Sequence, residues 1–435
     1  MPEPAVAFYG DDFTGSVDAL LQFTRAGLTG RLFVGRPELD ALRRAAAEVD
    51  VVGIAGIARS LPAHELDEEV RDALVALHAL GAGVVQYKAC STADSSPTIG
   101  SLGRVVEIAR EIFGPASVPA LFAQPDFGRY TVFGQHFAAE GDRVYRLDRQ
   151  PTMSNHPVTP MHEADLALHL SRQTDLNIGS LHLTAYSDAA DVTRALRQTP
   201  DAATVLDALT DDHVTLVGRA VWDLRDGGPV FAVGSGGLST GLGRATRGGV
   251  GGSRSATARE VGVGIRPAGP VLAVSGSRSP QTARQIEHAS AHGWASFDLP
   301  LGEAQPAGVL QAAVLNELAA GRSVVVSTAA AELGEGAAAD AGGAIERIAG
   351  QLAQLVAAAL ASGSTGRVIV CGGDTSSRLV TLLGAESLLI AANPFDNVVL
   401  CRVSAPEPSV DGAEMLLKGG QVGPVNLFET IRQLS

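Results

Sequence analysis

Short apolar runs recur along the whole chain, and each is followed by a polar or glycine-rich turn and a helix-like stretch. In the stretch 346–361, apolar side chains recur every three or four residues, which is typical of an amphipathic helix. Strands that alternate with helices predict βαβ units, and runs that are apolar throughout predict strands covered on both faces. We therefore expect an α/β fold with mostly parallel sheets flanked by helices. The apolar runs are Ala5–Tyr9, Leu32–Val34, Val51–Ala55, Val84–Tyr87, Ala120–Ala123, Val214–Val217, Val230–Val233, Val271–Ser275, Val324–Ser327, Val368–Cys371 and Leu388–Ala391.

A glycine- and serine-rich segment, 244–270, interrupts this pattern and has almost no large apolar side chain before Val261. Such a composition predicts a linker or mobile loop. It divides the chain into an N-terminal domain, 1–243, and a C-terminal domain, 271–435. A length of 435 residues is sufficient for two domains that each bury a core. A second stretch rich in alanine and glycine, 329–343, is expected to be an exposed loop.

The charge balance and the apolar runs exclude several classes of protein. The chain has 33 basic and 47 acidic residues, so it lacks the excess of basic residues that binds a phosphate backbone, and we expect no nucleic-acid partner. The longest uninterrupted apolar run, Leu355–Ala361, is far shorter than the roughly 18–20 residues of a membrane span, so we expect no membrane partner. Three widely spaced cysteines fit neither a disulfide framework nor a CxxC metal site. With no signal peptide evident at the N-terminus, the sequence predicts a cytoplasmic protein.

Two adjacent carboxylates, Asp11 and Asp12, follow the first predicted strand and precede a predicted helix. Ligands of open α/β sheets bind at the carboxyl ends of strands, where a helix N-terminus offers free N–H groups to an anion. One of the two carboxylates would orient and deprotonate a substrate hydroxyl, and we favour Asp12 because it lies nearer the helix. The alternative is structural: Asp12 or Thr14 caps the helix, and the glycines on either side only form the turn.

A lysine surrounded by hydroxyl groups marks the end of another predicted strand. Lys88 is followed by Ser91, Thr92 and Asp94, a set of side chains suited to a polyhydroxylated acid. We expect these four residues to bind the substrate. A solvated lysine in an ordinary Ser/Thr turn is the alternative interpretation.

Two further residues in the N-terminal half are candidates for binding an acid. Arg129 lies between Gly128 and Gly134, and its guanidinium presents two parallel donors that match a carboxylate. His156 lies in a proline-bounded loop, where it either donates a hydrogen bond to substrate or has a purely structural role.

The C-terminal half contains three Gly/Ser loops, each at a predicted strand end. Glycine lets the backbone approach a phosphate chain, and serine and threonine add donors. Three such loops in one domain predict a nucleotide site, although the Walker pattern of a P-loop is absent. Asp374 could hold Mg²⁺ directly or through water. The residues expected to bind the nucleotide are Ser275, Gly276, Ser277, Gly372, Gly373, Asp374, Thr375, Gly419 and Gly420.

Taken together and in order, these motifs resemble the four-carbon acid sugar kinase family, once known as a domain of unknown function. The resemblance also includes Asp18, the segment 205–208 and the segment 234–238. It implies an N-terminal domain that binds a small anionic sugar acid and a C-terminal domain that binds ATP and Mg²⁺, with phosphoryl transfer in the cleft between them. The chain departs from the family pattern in the acid-binding half, at Ala93, at 98–100 and at 154–155. The acid therefore stays open among 3-oxo-tetronate, threonate, erythronate and a branched relative such as 3-oxo-isoapionate.

Two other functions compete with a sugar-acid kinase. A nicotinamide-dependent dehydrogenase would use the glycine-rich turn 234–238, although the turn lacks the third glycine of the dinucleotide motif. A non-catalytic nucleotide-binding protein would bind ATP without turnover. A homodimer is an open alternative to a monomer.

Overall fold

The computed structural model describes residues 3–249, 265–277, 279–299, 307–328, 341–396 and 398–435. The chain forms two compact units, 1–258 and 259–435. In both units, parallel strands alternate with helices, so the predicted α/β class with mostly parallel sheets is confirmed.

The N-terminal unit contains a parallel sheet with the strand order β2-β3-β1-β4-β11-β5-β10-β9. Its strands are β1 (Val6–Gly10), β2 (Gly30–Val34), β3 (Val51–Ala55), β4 (Val84–Lys88), β5 (Val118–Leu121), β9 (Ile178–Leu181), β10 (Ala203–Leu206) and β11 (Val230–Gly234). Every residue of β1, β3 and β4 is buried, as apolar runs covered on both faces require. In register, Gly10 of β1 pairs with Ala55 of β3 and Lys88 of β4, so these three strands end side by side.

Helices and one small antiparallel sheet complete the N-terminal unit. The helices are α1 (Phe13–Arg25), α2 (Leu39–Glu48), α3 (Ala63–His78), α4 (Leu102–Phe113), α5 (Pro151–Ser154), α6 (Leu166–Ser171), α7 (Ala189–Gln198), α8 (Asp211–Asp223) and α9 (Gly236–Gly249). The small sheet has the order β6-β7-β8 and consists of β6 (Arg129–Val132), β7 (Gln135–Glu140) and β8 (Arg143–Arg146).

The C-terminal unit has the strand order β13-β14-β12-β15-β18-β17-β16. Its strands are β12 (Val271–Ser275), β13 (Ala295–Leu299), β14 (Val324–Thr328), β15 (Arg367–Cys371), β16 (Ser387–Phe395), β17 (Val398–Ser404) and β18 (Glu414–Lys418). Its helices are α10 (Pro280–Ala291), α11 (Ala307–Ala319), α12 (Ala341–Ala361), α13 (Gly373–Leu382) and α14 (Leu427–Gln433). The strands from β13 to β18 in this order are parallel, whereas β17 is antiparallel to both β18 and β16.

The structure differs from two sequence-based expectations. The apolar run Val214–Val217 is not a strand but lies inside α8, because Thr210 caps that helix and Val214, Val217 and Val221 fall on one buried face. Helix α9 extends to Gly249, six residues into the segment 244–270 that was expected to be a linker. The rest of that segment up to residue 264, and most of the expected loop 329–343, lie outside the described residues.

None of the helices that the structure describes has both the length and the apolar character needed to cross a bilayer.

Candidate active site

The turn between β1 and α1 places Asp11 and Asp12 next to a third charged residue, Arg59. Asp12 is the N-cap of α1, and its Oδ1 accepts a hydrogen bond of 3.0 Å from the Gly15 N–H. Arg59 follows β3, the neighbour of β1, and its Nη2 lies 2.6 Å from Asp11 Oδ1 and 2.7 Å from Asp12 Oδ1. The expected cap geometry is therefore present, and a guanidinium joins the two carboxylates.

The two carboxylates differ in their access to solvent. The Asp11 side chain is 2% exposed and both of its oxygens accept from Arg59, whereas the Asp12 side chain is 30% exposed. Burial raises the pKa of Asp11 above its ordinary value, and the positive charge of Arg59 acts against that rise. Of these two carboxylates, Asp12 is the one that combines a charged partner with a surface that a ligand can reach.

Lys88, the last residue of β4, extends the same charged group. It is 3% exposed, and its Nζ donates to the Ala89 carbonyl at 3.1 Å. Asp18 on α1 provides the carboxylate partner of Lys88, with Oδ2 4.0 Å from Nζ. The site therefore holds two cations and several carboxylates at neighbouring strand ends.

The loop after β4 brings two of the predicted substrate-binding residues together. Asp94 Oδ1 accepts a hydrogen bond from the Thr159 hydroxyl, and His156 Nδ1 lies 2.8 Å from that hydroxyl and 3.9 Å from Asp94 Oδ1. Both predicted hydroxyl residues of this loop contact other residues, Thr92 through its hydroxyl and Ser91 through its backbone carbonyl. The Ser91 carbonyl accepts from His136 Nε2 at 2.8 Å, and Thr92 Oγ1 lies 3.0 Å from Cys90 Sγ.

Arg129 begins β6 and is partly held by its own hairpin. Its Nη1 donates to the carbonyls of Phe127 and Ala139 at 2.8 and 3.1 Å. Its Nε is buried and has no hydrogen-bond partner among the described residues. Burial lowers the pKa of Arg129. One edge of the guanidinium is therefore anchored, and the buried Nε has no acceptor among the described residues.

Two residues of this region were missed as site residues by the sequence analysis. Arg59 pairs with Asp11 and Asp12, which lie 48 and 47 positions before it in the sequence. The feature that could have identified it is its position after β3, the parallel neighbour of β1. Gln124 is 2% exposed, and its Nε2 has no partner within the described part of the chain. A Cβ added to Gly236 would lie 2.9 Å from Gln124 Nε2 and 2.4 Å from Asp18 Oδ2, so the start of α9 approaches both closely.

In the C-terminal unit, the three Gly/Ser loops meet at the ends of β12, β15 and β18. Ser275, Cys371 and Lys418 are paired in register at these ends. The Gly276 N–H donates to the Cys371 carbonyl at 3.2 Å, and the Gly372 N–H donates to the Lys418 carbonyl at 2.9 Å. The loops expected to bind a nucleotide are thus joined by backbone hydrogen bonds.

The remaining predicted nucleotide-binding residues lie on the same loops. Thr375 is buried in the first turn of α13, which begins at Gly373, and Gly419 directly follows β18. Ser277 Oγ accepts from the Ser279 N–H at 3.2 Å. The side chain of Asp374 lies outside the described residues. Among the residues that are described, no group of three or more His, Cys, Asp or Glu could hold a metal ion.

Comparison with known proteins assigns a class to each unit. Residues 6–242 match the model of a sugar-binding N-terminal domain, and residues 272–428 match that of a nucleotide-binding C-terminal domain. A 3-oxo-isoapionate kinase of Paraburkholderia graminis is 39% identical over 98% of this chain and 94% of the relative. A 3-oxo-tetronate kinase of Methylobacterium radiotolerans is 30% identical over 98% of this chain and 97% of the relative.

A solved structure from Haemophilus influenzae has the same fold, with a TM-score of 0.77 at 23% identity over 98% of this chain and 99% of that chain. A sugar-binding domain followed by a nucleotide-binding domain, in a chain with kinase relatives, defines a sugar-acid kinase. The chain belongs to the four-carbon acid sugar kinase family, and the resemblance of its motifs to that family is confirmed.

Proposed function

We propose that this sugar-acid kinase transfers the terminal phosphoryl group of ATP to a hydroxyl of a small branched acid of the 3-oxo-isoapionate type. The observation that carries the proposal is the group at the ends of β1, β3 and β4, where the reachable Asp12 carboxylate lies beside Arg59, which joins it to buried Asp11. Phosphoryl transfer depends on positioning and on charge stabilisation more than on a covalent nucleophile. A carboxylate among fixed cations fits that requirement.

In this proposal, Asp12 is the base and Asp11 is a positioning residue. Asp12 accepts the proton of the acceptor hydroxyl as the oxygen attacks the terminal phosphorus, and the bond from that phosphorus to ADP breaks. Asp11 is buried and both of its oxygens accept from Arg59, so its role is to hold Arg59 against Asp12. A general base contributes about 10²–10⁴-fold to such a step.

The acid itself is assigned to the residues around Lys88. Lys88 and the free Nε edge of Arg129 would bind its carboxylate and carbonyl oxygens, since charge-assisted hydrogen bonds to oxyanions are the strong ones. The loop after β4 and the His156 loop would contact its hydroxyls. The residues given this role are Ser91, Thr92, Asp94 and His156.

The nucleotide is assigned to the C-terminal loops at Ser275–Ser277, Gly372–Thr375 and Gly419–Gly420. Glycines in these loops let the backbone N–H groups come close to a phosphate chain, and the hydroxyl groups provide further donors. Mg²⁺ usually takes one or two carboxylates and completes its shell with phosphate oxygens and water, so a single carboxylate, Asp374, is enough here. The ion supplies charge neutralisation at the phosphates.

The choice of acid rests on the relatives. The relative at 39% identity is named a 3-oxo-isoapionate kinase, whereas those at 30% and 29% are named 3-oxo-tetronate kinases. A panel of 3-oxo-isoapionate, 3-oxo-tetronate, threonate and erythronate, assayed by ADP release, tests the proposal. We expect the highest kcat/KM with 3-oxo-isoapionate. A higher value with any four-carbon acid contradicts the assignment, and ATP binding without turnover on the whole panel contradicts this substrate class.

We further propose that the enzyme acts in the cytoplasm, where ATP is supplied and where free thiols such as Cys90, Cys371 and Cys401 stay reduced. Transfer in a cleft between the two domains and assembly as a homodimer remain predictions. The molar mass of the purified protein, measured by light scattering, tests whether it is a monomer or a homodimer.

A further inference from the structure

Lysine is almost absent from this chain. Of its 33 basic residues, 31 are arginines and two are lysines, Lys88 and Lys418. Both lysines are 3% exposed, and each is the last residue of a parallel strand, β4 in one unit and β18 in the other. Arginine carries the positive charge everywhere else. The two buried strand ends are therefore the places where this chain uses a compact ammonium with rotatable donors in place of a planar guanidinium.

Lys418 has few polar partners among the described residues. Its Nζ donates to Thr282 Oγ1 at 3.0 Å, and the Thr282 hydroxyl in turn donates to the Gly420 carbonyl at 2.8 Å. An ammonium has three donors, and this is its one hydrogen bond to the residues that the structure describes. Among the described side chains, no carboxylate lies within 4.0 Å of it. Burial lowers the pKa of Lys418.

Lys418 is surrounded by the loops assigned to the nucleotide. Its own carbonyl accepts from the Gly372 N–H, and Gly420, two residues on, lies against Ser277 of the first loop. Its hydrogen-bond partner Thr282 lies in the first turn of α10, which begins at Pro280. An ammonium with free donors thus lies where hydroxyl groups, glycine backbone and a helix N-terminus converge, and each of these features favours an oxyanion.

We propose that Lys418 binds the phosphate oxygens of the nucleotide and is the counterpart of Lys88 on the acid side. This inference rests on the proposed kinase function and adds a residue to it. The phosphate oxygens take up the ammonium donors that have no acceptor among the described residues. The competing interpretation is a structural lysine that only holds Thr282 and the Gly420 loop in place.

A binding measurement distinguishes a failure of the Lys418 assignment from a failure of the proposed kinase function. Calorimetric titration of the full-length enzyme with ADP is compared for wild type, Lys418→Met, Lys418→Arg and the control Lys88→Met. The Lys418→Met variant should bind ADP about ten- to a hundred-fold more weakly than wild type, because it loses one charge-assisted contact. Lys418→Arg should recover part of that loss, and Lys88→Met should leave ADP affinity within about twofold of wild type. ADP affinity unchanged in Lys418→Met overturns the inference, whereas failure of wild type to bind ADP overturns the nucleotide assignment itself.

Wild-type protein gives a second test that does not depend on a variant folding. Protein labelled with ¹³C at the lysine ε-carbon has only two lysine side chains to observe, and the Lys88→Met spectrum assigns them. At saturating ADP, and separately at saturating inorganic tripolyphosphate, the Lys418 signal should move and the Lys88 signal should stay. A stationary Lys418 signal under saturation by both ligands establishes the structural interpretation and overturns the proposal.

Discussion

Arg59 donates to both oxygens of the buried Asp11 carboxylate, from Nε at 3.2 Å and from Nη2 at 2.6 Å. The same Nη2 reaches Asp12 at 2.7 Å, so one guanidinium fixes the relative position of two carboxylates that differ in access. Because planar, bidentate pairing restricts the guanidinium, Asp12 is held at a defined place above the strand ends. In the proposed mechanism, the two adjacent carboxylates have separable functions, one in proton transfer and one in positioning Arg59.

Replacement of each carboxylate by its amide should separate the two functions. Asp12→Asn keeps the size and the helix cap, so we expect a melting temperature close to wild type and a kcat lowered about 10²–10⁴-fold. Asp11→Asn removes one of the two carboxylates that pair with Arg59, so we expect the free energy of unfolding to fall by about 1.5–3 kcal/mol, the contribution of a hydrogen bond to a charged group. Denaturant titration and steady-state kinetics of both variants check this.

Two results would contradict this division of roles. The base is not Asp12 if Asp12→Asn keeps more than about a tenth of wild-type kcat. The positioning role of Asp11 is wrong if Asp11→Asn unfolds at the wild-type denaturant concentration.

Arg129 offers a test of acid recognition that leaves the nucleotide aside. Arg129→Met should lower kcat/KM for the acid about ten- to a hundred-fold, because a charge-assisted hydrogen bond is lost. The KM for ATP should stay near its wild-type value. Arg143→Met is the matched control, since Arg143 is an exposed arginine on the same small sheet. An equal loss of activity in both variants, or a raised KM for ATP in Arg129→Met, contradicts the assignment.

Replacement of Gly420 tests whether the Gly/Ser loops of the C-terminal unit bind the nucleotide. A Cβ added there would lie 2.6 Å from Ser277 Oγ and 2.8 Å from Ser279 Cβ, so Gly420→Ala should displace the first loop. We expect the KM for ATP to rise, with little change in the KM for the acid. At Gly419 an added Cβ meets Val422 at 3.5 Å, an ordinary contact, so Gly419→Ala should have the smaller effect. A larger effect at Gly419 contradicts this explanation.

Several central strands were predictable from sequence, whereas the edge strands β9 and β13 were not. β1, β3, β4, β12 and β15 are buried along their whole length, and burial on both faces produces the continuous apolar runs by which they were predicted. At the edge, β13 alternates partly buried with exposed residues and contains Asp298, so it has no such run. The run Val214–Val217 was misassigned because a short apolar stretch has the same appearance in a strand and in a buried helix face.

Candidate site residues were predictable from sequence where charged side chains come at or directly after the end of a strand. Asp11, Asp12 and Lys88 come at or just after the ends of β1 and β4 and could be proposed from position alone. Arg59 was missed because its role depends on the adjacency of β3 and β1, which a linear sequence does not display. Lys418 was visible within a glycine motif, but its importance rests on burial and on a single hydrogen bond, which only coordinates reveal.

Two buried histidines of the N-terminal unit, His136 and His169, lead to a prediction of acid sensitivity. His136 Nε2 donates to the Ser91 carbonyl and its Nδ1 accepts from the Thr131 hydroxyl, so the neutral ring is fully satisfied. Burial lowers the pKa of His136 to about 3 and that of His169 to about 4. Both rings are thus neutral in the folded protein at pH values where the unfolded chain already binds protons.

Stability should therefore be complete above the unfolded histidine pKa of about 6.5 and be lost as the pH falls towards the folded values. Each proton bound only by the unfolded chain is worth about 1.4 kcal/mol per pH unit, so each histidine lowers the free energy of unfolding by about 2 kcal/mol between pH 7 and pH 5. Urea titrations at pH 7 and pH 5 measure the difference. His136→Gln should remove about half of the histidine contribution, whereas His64→Gln, at a side chain 81% exposed, should keep the wild-type dependence. A wild-type pH dependence in His136→Gln would show that its burial does not govern acid sensitivity.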